Sequence, residues 1–304
     1  MKISIIIPTH GRPGVFSQCL KSINLLKKEL DKFKPYEIII INNNNEKLRN
    51  ETSKACREYD LPIKEIVMKK AAGSVRARNA GIKKAKGDVL IFFDDDTIIL
   101  KNYFTNLMKH YKDKKVGAVG GSEIKQKNTL LHKLFFKFHK PGSITWSGEI
   151  ISNFSPDYNK PIIVKHLHGS NFSICKRVID EIGLMDELMI GHYRDETEFI
   201  YRVYRKGYTI IFEPEAEVIH TESNIGGSIS PSKKKEWAYW YHRNTSYFFF
   251  KQLYTGNPLQ LIAYIARELI TSIIRAIIYK NSYYLFEMKA VKEGHDLALK
   301  RISY

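Results

Sequence analysis

What most limits the folds open to this chain is a series of short aliphatic strands, each followed by a charged helical stretch. "KISIIIPT" and "YEIIIINNNN" are unbroken β-branched runs, "LPIKEIVMKK" reads as a third strand, and "GDVLIFFDDD" as a fourth. Between them, "FSQCLKSINLLKKEL" repeats Phe16, Leu20, Ile23 and Leu26 or Leu30 at helical spacing, and "SVRARNAGIKKAKG" reads as a helix stopped by Gly87. Runs this continuous are buried on both faces. The pattern therefore predicts an α/β fold, a mostly parallel sheet with helices on both sides.

In such sheets ligands bind beyond the carboxyl ends of the strands. "PTHGR", "NNNN" and "DDD" all fall there, so three polar clusters from separate parts of the chain converge on one edge. Three adjacent carboxylates repel one another, and beside a buried strand they stay ionised only if a cation offsets them. A divalent ion, Mg²⁺ or Mn²⁺, with a diphosphate completing its oxygen shell is the simple remedy. The alternative is an acidic surface turn.

Forty-nine Lys and Arg against 32 Asp and Glu give a formal charge of +17, which selects polyanions as partners: nucleic acid, an anionic membrane surface or phosphorylated small molecules. Cys19, Cys56 and Cys175 are far apart, with no CxxC pair, which supports neither a disulfide framework nor structural zinc and fits a reducing compartment. The apolar run in "MKISIIIPTH" is too short for a secretory signal and reads as a first strand.

Further along, "VGAVGGSEI" reads as a strand and turn, and "KNTLLHKLFFKFHKPGS" as a basic stretch with interleaved aromatics. The segment from His166 to His220 carries a strand, a helix, a loop, a second helix and a strand ending at His220. His166 and His168 alternate along a presumed strand, but no third ligand accompanies them, so they are not read as a metal site. The glycines, serines and proline of "NIGGSISPS" mark a boundary near residue 225. After Pro258 the pattern is amphipathic: Ile262, Ala263, Ala266, Leu269, Ile270, Ile273, Ile274, Ile277 and Ile278 share one face, with Gln260, Tyr264, Arg267, Glu268, Thr271 and Arg275 opposite. Arg267, Glu268 and Arg275 interrupt any spanning segment. Such a helix packs on the rest of the chain or lies in a membrane interface, and the neighbouring aromatic and basic residues favour the interface.

In order along the chain, "SIIIPTHGR", "EIIIINNNN", "GSVRARNAGI", "GDVLIFFDDDT", "GSNFSICKRVIDEIGLMDE", "RDETEFIYRVYRKGYTIIFEPEAEVIH" and "YHRNTSYFF" closely resemble family 2 glycosyltransferases, the inverting enzymes of GT-A fold that use nucleotide-diphospho-sugars. The resemblance runs from about residue 2 to 250 and includes rhamnosyltransferase-like members and members extending polyprenyl-linked glycans. It implies a GT-A catalytic domain over 1–225, with a nucleotide half of about 1–100 and an acceptor half of about 101–225, then a helical, aromatic and basic region over 226–304.

The resemblance also implies roles. Pro8, Thr9 and Arg12 would line the nucleotide pocket, and Asn42 would read the base where relatives often carry an aspartate. Arg78 matches an arginine near the nucleotide. Asn79 and Gly81 match flanking positions that equally suit a helix packed tightly on the sheet. Asp94 and Asp96 form the DxD, with Asp96, and Asp94 beside it, on Mn²⁺ or Mg²⁺, and Asp94 or Asp95 on the ribose or sugar. His220 would complete the metal site or touch the diphosphate. The catalytic base would be Glu196 or its neighbour Asp195, since relatives read Glu-Asp-x-Asp where this chain reads Asp-Glu-Thr-Glu. "HGSN" resembles the loop on the acceptor side. The implied donor is a nucleotide-diphospho-sugar and the implied acceptor a growing glycan or lipid-linked saccharide, at the inner face of the cell membrane. Nothing in the sequence sets the oligomeric state.

Three other readings compete. A nucleic-acid-binding protein would carry arginine-rich stripes and a reading module, and neither is present. An NAD-dependent oxidoreductase would open with GxGxxG, where this chain has "PTHGRPG". A non-catalytic relative of the transferases would keep the motifs without the activity.

Overall fold

A computed structural model describes residues 1–69, 72–124, 140–155, 157–191, 193–221, 234–278, 280 and 287–302. Strands β1 (Ile3–Thr9), β2 (Tyr36–Asn42), β3 (Ile63–Val67) and β4 (Val89–Phe93) form where the apolar runs lie. Helices α1 (Pro13–Leu25), α2 (Glu46–Arg57) and α3 (Ser74–Lys84) connect them. All pairings in this half are parallel, in the order β3-β2-β1-β4. Every residue of β2 and β4 is buried, as a sheet covered on both faces requires. Gly81 lets α3 lie directly on β1: a Cβ there would meet Ile6 Cγ2 at 2.5 Å. Asn79 exchanges hydrogen bonds with the backbone of Met185. Both positions have the packing role that was one of their two readings.

The second half holds β5 (Thr97–Ile99), α4 (Tyr103–Met108), β6 (Val116–Ile124), the short strands β7 (Ser143–Ile144), β8 (Ile150–Ile151) and β9 (Ile162–Ile163), then β10 (Asn171–Cys175), α5 (Lys176–Ile182), α6 (Asp195–Arg205) and β11 (Thr209–His220). The main sheet continues β4-β10-β6-β11-β5. β11 runs parallel to β6, but β10 is antiparallel to both β4 and β6, and β5 is antiparallel to β11. A strand buried on both faces has the same composition in either direction, so the run of apolar residues does not reveal this reversal. Phe172 of β10 stacks on Phe92 of β4 with ring centroids 4.6 Å apart, which joins the two halves in one core. His166 and His168 lie in the loop before β10 and not on a strand.

The chain closes with α7 (Lys234–Phe248), α8 (Pro258–Ile278) and α9 (Met288–Ile302). Gly294 allows α9 to approach α7 closely, because a Cβ there would collide with the backbone carbonyl of Arg243. Tyr264 of α8 stacks on Phe249 at 4.0 Å. The Gln260 amide donates to the Trp146 carbonyl at 2.9 Å and Arg267 to that of Gly148 at 3.0 Å, so α8 is tied to residues before β8. The boundary expected near residue 225 and most of "KNTLLHKLFFKFHKPGS" lie outside the described residues.

Candidate active site

The acidic triplet occupies the passage from β4 to β5. Because β5 pairs with β11 in the register Thr97↔His220, the last residue of β11 is set beside Asp96. The His220 ring lies 3.1 Å from an Asp96 oxygen through Nε2 and 3.2 Å from Glu123 through Nδ1. Burial by itself would lower the pKa of His220, but the hydrogen bonds to Asp96 and Glu123 and the charges of Asp94 and Asp96 raise it to about 11. Asp94, Asp96 and His220 each offer a ligand atom, and these atoms lie within 4.8 Å of one another.

The loop after β1 supplies the counter-charge. Gly11 takes φ +78°, a turn that glycine tolerates and that sends Arg12 back over the triplet. Arg12 Nε donates to Asp95 at 2.8 Å and Nη1 to Asp96 at 2.7 Å. Burial pushes the Asp95 carboxyl up, and Arg12 opposes that shift. The asparagine run braces the same loop: Gly11 N–H donates to Asn44 Oδ1 at 2.5 Å, and the His10 ring lies 2.6 Å from the Asn43 carbonyl.

Arg78 joins the triplet to α6. Its fully enclosed guanidinium donates to Asp94 at 2.7 Å, to the Gly169 carbonyl at 3.1 Å and to Asp195 at 3.1 Å. Asp195 is thereby consumed as a buried counter-ion. Glu196 differs. It is half-buried, its carboxyl packs against Gly169, whose Cβ, if present, would sit 3.2 Å from Glu196 Cδ, and burial followed by the neighbouring Asp195 raises its pKa well above the carboxylate range.

The arginine and asparagine of "YHRNTSYFF" hold the loop that leads into α6. The buried Asn244 amide donates to the carbonyls of Ile190 at 2.6 Å and Tyr193 at 2.8 Å, and Arg243 donates to that of Leu188. Arg194, the residue before α6, takes φ +66° and reaches the Tyr241 hydroxyl at 2.9 Å. Tyr193, Trp237 and Tyr241 form an aromatic wall beside it.

Arg12, Arg78, Asp94, Asp95, Asp96, Asp195, Glu196 and His220 thus form one connected cluster. Thr9, at the end of β1, is buried next to it, and Pro8 is partly buried. Asn42 sits apart: wholly buried, it donates to Glu65 at 2.6 Å and to the Arg49 carbonyl at 3.1 Å, and its oxygen accepts from Asn44. The sequence reading missed Glu123 and gave Asn244, inside the motif "YHRNTSYFF", no role of its own. Glu123 lies within 3.2 Å of both the His220 and His168 rings, and Asn244 acts from α7. The acid in "GGSEI" was the one available signal for Glu123, and only the β6–β11 pairing gives it meaning.

The family model described as "Glycosyl transferase family 2" matches residues 4–183. "Probable glycosyltransferase YdaM" of Bacillus subtilis is 28% identical over 228 residues, covering 71% of this chain and 49% of that protein. "GalNAc(5)-diNAcBac-PP-undecaprenol beta-1,3-glucosyltransferase" of Campylobacter jejuni is 22% identical over 213 residues, covering 67% of this chain and 63% of that one. The chain therefore spans about half to under two thirds of the length of these relatives. Among solved structures, "Mannosyltransferase PcManGT from Pyrobaculum calidifontis in complex with GDP-Man and Mn2+" superposes with a TM-score of 0.60 at 15% identity, covering 99% of this chain and 74% of that one. At that identity the likeness is one of fold.

Proposed function

The chain belongs to glycosyl transferase family 2 and has the GT-A fold, and from that premise we propose that it transfers a sugar from a nucleotide-diphospho-sugar to a hydroxyl acceptor with inversion at the anomeric carbon. The observation that carries the reading is Arg78, which ties Asp94 of the triplet to Asp195 and Gly169 beside Glu196, so that a metal-type carboxylate cluster and a carboxyl of raised pKa share one support. Residues 1–225 would form the catalytic domain and 226–304 a helical extension.

Two carboxylates and an imidazole with ligand atoms this close fit Mn²⁺ or Mg²⁺, so Asp94, Asp96 and His220 would hold the ion, the His220 ring giving up its proton as the ion binds. Bound there, the ion would offset charge on the departing diphosphate. Pro8, Thr9 and Arg12 would flank the nucleotide, with Asn42 supporting the base pocket from behind, and Asp95 would orient the ribose or sugar through the Arg12 loop. Glu196 acts as the base: it takes the acceptor hydroxyl proton as the new C–O bond forms and the bond from the anomeric carbon to the phosphate oxygen breaks. A raised pKa makes a carboxylate a better proton acceptor near neutral pH. Asp195, paired with Arg78, positions that loop. The acceptor is a growing glycan or lipid-linked saccharide at the cytoplasmic face of a membrane, a choice supported by the undecaprenol-linked substrate in one relative's name.

Thermal unfolding with a panel of nucleotide diphosphates and nucleotide-sugars, under Mn²⁺, Mg²⁺ or EDTA, tests this reading. One nucleotide should stabilise the chain only with metal, by about 2.7 kcal/mol at a hundredfold excess over its Kd, and Asp96→Ala should abolish the effect. No stabilisation by any nucleotide under either metal would refute it.

A further inference from the structure

Helix α8 is turned inside out. Its positions Leu259, Ile262, Ala266, Leu269, Ile270, Ile273, Ile274, Ile277 and Ile278 are the exposed ones from 259 to 278, and each is aliphatic. Its buried positions are Gln260, Tyr264, Glu268 and Ser272. A surface helix normally does the reverse. Ile262, Ile270, Ile277 and Ile278 are each more than half exposed, at 63%, 56%, 70% and 66%.

The polar face is held inward by specific partners. Glu268 Oε2 lies 2.5 Å from the ring of the fully buried His242, whose other nitrogen meets Glu287, and Arg267 pairs with Glu268 at 2.5 Å. With Gln260 and Arg267 bonded to the carbonyls of Trp146 and Gly148, the helix cannot roll to hide its apolar side without breaking buried charge pairs. The exposed aliphatic face is thus a fixed feature of the fold.

Its shape and surroundings select the occupant. At about 100° per residue, the exposed positions from Leu269 round to Ile278 sweep about 180° of the helix, far wider than the a/d seam of a paired helix. A half-cylinder of aliphatic side chains suits insertion into the headgroup boundary of a bilayer, and among the described residues no helix is long and apolar enough to cross one. Among the described residues that follow, the exposed ones are Lys280, Lys289, Lys292, Asp296, Leu299, Lys300 and Arg301, five of the seven basic. Between residues 234 and 304 there are eleven Lys and Arg and five Asp and Glu. Basic side chains beside an apolar face add attraction to anionic lipid.

We propose that the outward face of α8, from Leu259 to Ile278, docks on an anionic lipid bilayer and lies in its interface parallel to the surface, with the buried polar face holding the catalytic unit against the membrane. The inference gives a surface to the membrane location proposed above, but it rests on α8 and not on the transfer reaction. It is tested with no donor present, so the two readings fail separately.

The test is co-sedimentation of the full chain with vesicles of phosphatidylcholine alone or with phosphatidylglycerol added to about a third of the lipid. The expected result is binding to the mixed vesicles, weaker binding to the neutral ones, and a drop of roughly tenfold or more when Ile270, Ile274 and Ile277 are all changed to glutamate. These side chains face outward, so an unchanged thermal transition in the triple variant shows that the loss is one of docking. A second variant, Leu25→Glu, at an apolar residue 74% exposed on another helix, should bind like wild type. Equal binding by wild type and triple variant, no binding to either vesicle, or sedimentation of the free chain as a stable dimer that the triple variant breaks would each overturn the proposal.

Discussion

Replacing Glu196 by glutamine separates a base from a merely buried acid, because either would lose its pH-dependent effect on stability but only a base would cost turnover. In the folded chain burial, then the adjacent Asp195, hold Glu196 protonated well above its ordinary value of 4.5. Between that value and the raised folded one, the folded chain keeps a proton that the unfolded chain has released. Stability of the wild type therefore falls as pH rises through this window, by up to about 1.4 kcal/mol per pH unit, and levels off above the folded pKa. Glutamine keeps the shape and does not titrate. The stability gained by Glu196→Gln over wild type, measured by urea unfolding at intervals from about pH 5 to about pH 9, should thus be smallest at the acid end and climb with pH at up to that slope. Turnover should fall by about 10² to 10⁴ at every pH, since the amide accepts no proton. The wild-type rate should rise with pH through the same window. A stability difference that stays constant with pH, or a variant that still turns over at the wild-type rate, would refute the assignment.

Three further outcomes follow from the same contacts. Asp195→Asn removes one charge partner of the enclosed Arg78 guanidinium and should cost about 3 kcal/mol of unfolding free energy at neutral pH, the opposite sign to Glu196→Gln, read in the same urea titrations. Asn244→Ala leaves the buried carbonyls of Ile190 and Tyr193 without their donor, at about 1–3 kcal/mol, and should lower turnover while leaving the nucleotide Kd from calorimetry unchanged. Arg12→Ala frees Asp95 and Asp96 of their guanidinium, so Mn²⁺ titrated without nucleotide should bind more tightly, whereas the nucleotide diphosphate should bind more weakly.

Which parts of this arrangement were legible in the sequence depended on whether the signal was local. β1, β2 and β4 carry continuous apolar runs, and their polar ends could only lie at one edge of the sheet, so Arg12 and the triplet fall together on the pattern alone. His220 was visible as the end of a strand, but its partner was not: Glu123 meets it only because β6 lies beside β11, and strand order is not written in either strand. The antiparallel β10 was hidden for a similar reason. Asn42 was read from its position at the end of β2, yet its side chain turns to Glu65 on the neighbouring β3, a partner 23 residues away. In α8 the two faces were sorted correctly from periodicity alone. Which face turned inward was set by His242 on another helix, and a hydrophobic pattern cannot weigh a buried charge pair against an aliphatic stripe.

The row of acids at the end of β4 shows the same division between what repulsion demands and what the fold supplies. Like charges in sequence forecast a compensating cation, and a single divalent ion was the economical choice. The fold supplies cations of its own as well: Asp94 is matched by Arg78 from α3, Asp95 by Arg12 from the first loop, and Asp96 by Arg12 and His220 together. Each cation comes from a different element, so the triplet fastens three separate segments at the sheet edge. An ion held by Asp94, Asp96 and His220 would have to share carboxylates already engaged by Arg78 and Arg12, and its affinity would then be set as much by those arginines as by its own ligands. That coupling makes the two arginines, and not the acids alone, the place where metal and nucleotide binding would be linked.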